Sequence, residues 1–169
     1  ANSTFLKDVL ERISKSLNKS EEEHHMALAK SFMVSADNAH AVHPNRPDIT
    51  DQLNKVYMNK GIVIKFNAAQ SYTSDSVSYA IFNKICQNVE VPTQVFTNKS
   101  GVRGGGTLGN ISATQVSVRS VDIGLPQLAM HSCFETSGTL DNEYMVKAIK
   151  EFYESNLSFD ENNNVLISK

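Results

Sequence analysis

Apolar residues recur at three- and four-residue spacing at the start of the chain, at Phe5, Leu6, Val9, Leu10, Ile13 and Leu17. That stripe predicts an amphipathic helix, with Ser3 or Thr4 placed to cap it. Asn18 to His25 is polar, with Glu21, Glu22 and Glu23 ahead of His24 and His25. This run is expected to be a solvated helix face or a loop. Adjacent histidines do not share one side of a helix, so a metal site is not expected there. At Ser31 the period changes: Phe32 to Ala36 is a short apolar run suited to a buried strand. His43 to Asn54 is polar, contains Pro, and reads as loop. Gly61 to Asn67 is a second strand, rich in β-branched residues.

Ser74 or Asp75 stands ready to cap a helix whose apolar face is Val77, Ala80, Ile81 and Ile85, ending near Asn88. Val91 to Thr97 reads as a strand entered through Pro92. A cluster of glycines follows, at 101, 104, 105, 106 and 109, and then Ser112 to Ser120 mixes helix and strand signals. Val121 to Gly124 and Leu128 to Met130 read as short buried strands. The last helix is expected to start at Asp141 as N-cap, with Leu140 and Met145 as a hydrophobic staple. Its apolar stripe is Tyr144, Met145, Ala148, Ile149, Phe152 and Tyr153. Strands alternating with helices, without a repeat or a long linker, predict one α/β layered domain.

Composition narrows the field. The chain has 169 residues, 40% of them apolar and 20% charged, with a formal net charge of −2. That length gives a real core, and that charge offers no electrostatic reason for a nucleic-acid or anionic-membrane partner. No apolar run approaches the roughly 20 residues that span a bilayer, and Ala1 to Thr4 lacks the features of a signal peptide. Two distant cysteines, Cys86 and Cys133, make no disulfide scaffold, so a reducing, cytoplasmic setting is expected.

The densest polar constellation is Asp37, His40 and His43, three potential ligands within seven residues. Asp37 follows a predicted strand, and ligands bind at the carboxyl ends of strands in α/β sheets. Carboxylate oxygen and imidazole nitrogen are both zinc donors. A hydrogen-bonded turn explains the same spacing equally well. His131 also follows an apolar run, where a partly buried, satisfied histidine is the commoner outcome. The glycine cluster lacks the Gly-Lys-Ser/Thr ending of a P-loop. It could still present a nest of N–H groups to an anion, with Lys99 and Arg103 beside it.

Together these segments resemble the aspartyl aminopeptidases and their bacterial and vacuolar relatives, which are two-zinc exopeptidases. The resemblance is carried by Ser35-Ala36-Asp37, Ala39-His40-Ala41-Val42-His43-Pro44-Asn45, Gly61, Val63-Ile64-Lys65, Asn67, Gln70 and Tyr72. It continues at Gly105 to Gly109 and from Asp122 through Leu128-Ala129-Met130-His131-Ser132 to Glu135. It runs from about Ser31 to Leu157, and Ala1 to Lys30 matches loosely. It implies a layered zinc-peptidase domain, a mixed sheet flanked by helices, incomplete in this chain. It implies that Asp37 binds one zinc and His131 the other, and that Lys65, Tyr72 and Met130 line the substrate pocket. His40 and His43 resemble residues that support the site. Ser71, Phe134 and Gly104 depart from residues common in the family, which leaves substrate preference open.

A two-metal hydrolase also needs a bridging ligand, further donors and a base for water. In the family these precede the segment matched here, and no His-x-Asp string replaces them. The whole chain, 1–169, is therefore expected to be the C-terminal part of the catalytic domain, inactive alone and without its own catalytic base. Joined to the missing N-terminal half, it is expected to release N-terminal residues from peptides by two-zinc hydrolysis, with an acidic or a broad N-terminal preference. The resemblance also implies a homo-oligomer in the full-length protein. The competing expectation is a non-catalytic structural or oligomerisation fragment with vestigial metal residues. Zinc is the implied metal, although other divalent ions suit such donors.

Overall fold

The computed structural model describes residues 1–102, 104–161 and 164–169. Its elements are α1 (Phe5–Ser16), α2 (Glu21–Ala29), β1 (Phe32–Ala36), β2 (Ala39–His40), β3 (Ile62–Phe66), α3 (Ser76–Asn88) and β4 (Thr93–Thr97). There follow α4 (Leu108–Ala113), β5 (Arg119–Gly124), β6 (Pro126–Leu128), β7 (Thr136–Ser137), α5 (Thr139–Glu154), β8 (Asn156–Phe159) and β9 (Val165–Ser168). The central sheet has the order β1-β5-β3-β4. β1 lies parallel to β5 and β3 parallel to β4, while β3 and β5 are antiparallel. This is the mixed sheet with flanking helices that the family resemblance implies.

Alternation along the strands gives the sheet two unlike faces. Ile62 and Ile64 of β3 and Val121 and Ile123 of β5 turn to one side and pack with Phe82, Cys86 and Ala148 from α3 and α5. The residues between them turn to the other side. Ser35 pairs with Asp122 and Lys65 with Phe96. Continuing the register of Val63 with Gly124 and Ile64 with Ile123 sets Lys65 opposite Asp122. One row across the sheet thus reads Ser35, Asp122, Lys65, Phe96, and it underlies the site described below.

The two thiols separate cleanly. Cys86 is buried, and burial pushes its thiol up to about 12, whereas Cys133 is exposed. A group so raised stays protonated at pH 8 and does not attack electrophiles. Iodoacetamide at pH 8 is therefore expected to add one equivalent to the folded chain and two after unfolding, as read by intact mass. Two equivalents on the folded chain would contradict this packing.

Several boundaries differ from the pattern-based expectation. The glutamate run opens α2: Glu23 N donates to Ser20 Oγ at 3.2 Å, and Ser20 N donates to the Glu23 carboxylate at 2.9 Å. This reciprocal capping box suits acidic residues in a first turn. The third short strand is Pro126–Leu128 rather than Leu128 to Met130, because Ala129 turns left-handed at φ 57. α5 starts at Thr139 with Gly138 as N-cap, so Asp141 is no cap and the Leu140–Met145 staple does not form around it. Asp141 is instead fully buried and accepts from Asn59 N at 2.5 Å and Gly61 N at 2.9 Å. The stretch from Ser112 to Ser120 holds the end of α4 and the start of β5. The antiparallel β8–β9 hairpin lies outside the pattern-based expectation.

α1 forms as expected but buries none of its residues. Phe5 is 74% exposed and Leu17 63%, so its apolar stripe faces no core. No helix among the described residues is long and apolar enough to cross a membrane.

Candidate metallopeptidase site

Because β1 and β5 are parallel, their carboxyl ends open at the same edge of the sheet. Asp37 follows β1 directly, and β5 runs through Leu125 and β6 to the turn that carries His131. β2 and β6 pair in parallel, Ala39 with Pro126 and His40 with Gln127, and hold these two extensions side by side. Asp37 N donates to Ile123 O and Ala39 N to Leu125 O, each at 2.9 Å. The Asn38 side-chain amide donates to the Gln127 side-chain oxygen, and Leu125 N donates to Asn38 Oδ1 at 3.3 Å. Gly124 is required by contact: a Cβ there would lie 1.9 Å from Asp37 O.

His131 stands on a tight turn. Ala129 and His131 both adopt positive φ, 57° and 69°, which costs non-glycine residues about 1–2 kcal/mol each. Ser132 N donates to Ala129 O at 3.0 Å, and His131 N donates to Glu135 Oε1 at 2.6 Å. These bonds hold a conformation that leaves the imidazole exposed. Stored strain of this kind concentrates at functional sites.

Lys65 is 2% exposed, and its Nζ donates to Asp37 O at 2.7 Å and Asn38 O at 3.4 Å. Its Nζ also lies 5.5 Å from the centre of the Tyr72 ring, a cation–π distance. Burial holds the Lys65 ammonium below its usual range, and the negative charges of Asp37 and Asp122 oppose that shift. Burial raises the Tyr72 phenol, and the neighbouring Asn98 side chain opposes that shift. His40 is lowered, first by burial and then by the charges of His131 and Lys65. His43 is held by a local turn, with Asn45 N donating to its Nδ1 at 3.2 Å.

All seven residues singled out in the sequence, Asp37, His40, His43, Lys65, Tyr72, Met130 and His131, line one cavity of about 580 Å³. Donor chemistry on its wall suits zinc: one carboxylate and imidazole nitrogens. Donor number does not, because among the described residues no group of three or more His, Cys, Asp or Glu side chains gathers to hold a metal. Asp51 also lines the cavity, but its Oδ1 accepts from Leu53 N, Asn54 N and Asn54 Nδ2. The glycine cluster forms part of the same wall through Gly104, Gly105 and Gly106 rather than a separate anion nest. Lys99 Nζ is turned to Asp48 O at 2.5 Å, and Arg103 lies outside the described residues.

The residues that brace this wall are defined by contact between distant segments. Asn38 and Gln127 carry no pattern of their own, because their role comes from pairing across segments 89 residues apart. Asp122 is the one of these with a signal in the sequence, an acid between Val121 and Ile123 in a strand fit for burial.

The chain belongs to the aminopeptidase I zinc metalloprotease family (M18), whose pattern matches residues 1–153. The match thus takes in the first thirty residues, where the resemblance was loose. A probable M18 family aminopeptidase 2 of Clostridium acetobutylicum is 50% identical over 153 residues, covering 90% of this chain and 35% of the relative. Aspartyl aminopeptidase 1 of Schizosaccharomyces pombe is 40% identical over 161 residues, 95% of this chain and 34% of the relative. Among solved structures, the cryo-EM structure of the Ape4 and Nbr1 complex matches with TM-score 0.87 and 40% identity, over 90% of this chain and 29% of that one. The S. cerevisiae mApe1 dodecamer matches with TM-score 0.73 and 27% identity, over 88% of this chain and 32% of that one. The chain therefore spans about a third of the length of the relatives it matches.

Proposed function

We propose that this chain forms the C-terminal part of the active centre of a cytoplasmic aminopeptidase that releases N-terminal residues from peptides with two zinc ions. The observation that carries this is the convergence of Asp37, His131, Lys65, Tyr72 and Met130 on one cavity wall. Asp37 would donate to one zinc and His131 to the other, with His40 and His43 supporting them. Zinc in such a centre activates water and polarises the scissile carbonyl. The remaining donors and the base would come from polypeptide equivalent to the relatives' other two-thirds. The uncovered apolar stripe of α1 supports the presence of such a partner surface. Assembly into a homo-oligomer is part of the same proposal, on the likeness to the mApe1 dodecamer.

What this chain does itself is bind and orient. Lys65 fixes the Asp37 backbone, and Lys65 with Tyr72 offers a cation and a ring to the substrate. An ammonium in a dehydrated pocket favours an acidic N-terminal side chain. The test is a chimera in which this chain replaces the matching 153 residues of the Clostridium acetobutylicum relative. It is expected to hydrolyse dipeptides with N-terminal aspartate. Lys65→Ala in that chimera is expected to lower kcat/KM for N-terminal Asp or Glu at least about tenfold more than for neutral residues, an ion-pair loss of roughly 1.4 kcal/mol. Equal effects on both classes would remove the acidic preference, and an inactive chimera would count against the proposal itself.

A further inference from the structure

Behind the cavity wall, outside the set of residues that line it, lies a fully buried carboxylate. Asp122 is 0% exposed, on β5 between Ser35 and Lys65 in the polar row of the sheet. Its Oδ2 accepts from Thr73 N at 2.6 Å and from Thr73 Oγ1 at 2.9 Å. Ser74 Oγ meets the same residue from the other side, 2.9 Å from Asp122 N and 3.4 Å from Asp122 O. Thr73 and Ser74 directly follow Tyr72, and that segment otherwise crosses from β3 to α3 as irregular backbone. The side chain and the backbone of one buried strand residue thus fasten the loop that carries the pocket tyrosine.

We propose that Asp122 is a positioning residue for the substrate wall: it latches the Tyr72 segment to β5 and so holds the Tyr72 ring against Lys65. This rests on the proposal that Tyr72 lines the substrate pocket. Two features favour a carboxylate here over a neutral acceptor. Both donors converge on one oxygen, and hydrogen bonds to a charged acceptor are about twice as strong as neutral ones. Lys65, 2% exposed on the neighbouring strand, also places a buried cation on the same face. The remaining oxygen, Oδ1, is buried and has no hydrogen-bond partner among the described residues. A Cβ on Gly109 would come within 2.9 Å of it. The carboxylate is thus fully buried, with its hydrogen bonds directed to Thr73 alone among the described residues.

The test uses the chain as it is, with ¹³C-labelled tyrosine rings and ¹⁵N-labelled amides followed by NMR. Asp122→Asn is expected to speed hydrogen exchange at the Thr73 amide about tenfold, the difference between a charged and a neutral acceptor. It is also expected to shift the Tyr72 ring signals, assigned with Tyr72→Phe, while the Tyr144 and Tyr153 signals stay in place. Thr73→Val, which keeps the buried carboxylate, is expected to move the Tyr72 signals alone, and it decides the matter should Asp122→Asn not fold. Tyr72 signals that coincide with those of the unaltered chain in the folded variants overturn the latch. In the chimera, Asp122→Asn is expected to raise KM for an aspartyl dipeptide severalfold more than it lowers kcat. An inactive parent chimera counts against the peptidase proposal and leaves the NMR result to stand or fall separately.

Discussion

Gly124→Ala is expected to displace Asp37 and to destabilise the chain by at least about 3 kcal/mol, the upper end of ordinary overpacking costs. An added Cβ would meet Asp37 O at 1.9 Å, Asp37 C at 2.8 Å and Asn38 Cα at 2.9 Å. All three are backbone atoms, so no rotamer change relieves the contact. The segment that must move is the one whose carbonyl accepts from Lys65 and whose side chain is the proposed zinc donor. Stability and site geometry should therefore fail together. Chemical denaturation is expected to show a lower midpoint with an unchanged slope. NMR shifts should concentrate at Asp37, Asn38 and Lys65. A variant as stable as the parent, with those signals in place, would show that the β5–β6 junction tolerates a side chain.

Asp141→Ala is expected to act at the far end of the domain, on stability without touching the cavity. Its carboxylate is completely buried and accepts from the N–H groups of Asn59 and Gly61. Alanine leaves both donors without a partner, at roughly 1–3 kcal/mol for each. The expected loss is therefore about 2–6 kcal/mol by urea denaturation. Asp141→Asn keeps the shape and one acceptor oxygen, so it should fall between alanine and the parent. The turn these bonds secure leads into β3, and Asn59 holds a left-handed conformation at φ 60 there. A loss under 1 kcal/mol for the alanine variant would mean that another group or water replaces the carboxylate.

Much of the fold was legible because periodicity reports burial directly. The run at 62–66 became β3, and the stripe of Ile81 and Ile85 became the buried face of α3. Asp75 caps α3 as its position suggested, accepting from Ser78 N at 2.7 Å. What escaped was set by long-range contact. Asp141 has the sequence context of a cap, yet its partners lie 80 and 82 residues away. The strand before His131 ends where Ala129 turns left-handed, and alanine gives no warning of positive φ. The amphipathic stripe of α1 correctly predicted a helix but carried no information on what covers it.

The same division holds for the site. Residue type and spacing single out Asp37, His40 and His43, whereas the proposed roles of His131, Lys65 and Tyr72 are legible only through the family resemblance. Residues that hold them, such as Asn38, Gln127, Gly124 and Asp122, are defined by geometry between distant segments. The structure also changed the picture of Lys65. It is bonded to the backbone of Asp37 and Asn38, so one ammonium joins the pocket to the proposed metal ligand.

Zinc titration tests the central claim most directly, because the chain is proposed to offer one donor to each of two metals and to leave both spheres unfilled. Calorimetry on the isolated chain is predicted to show no tight zinc binding. The chimera with the Clostridium acetobutylicum relative is predicted to bind two equivalents. Asp37→Ala and His131→Ala in the chimera should each weaken one equivalent and largely spare the other. Two tightly bound zinc ions on the isolated chain, or a chimera indifferent to both substitutions, would contradict the account.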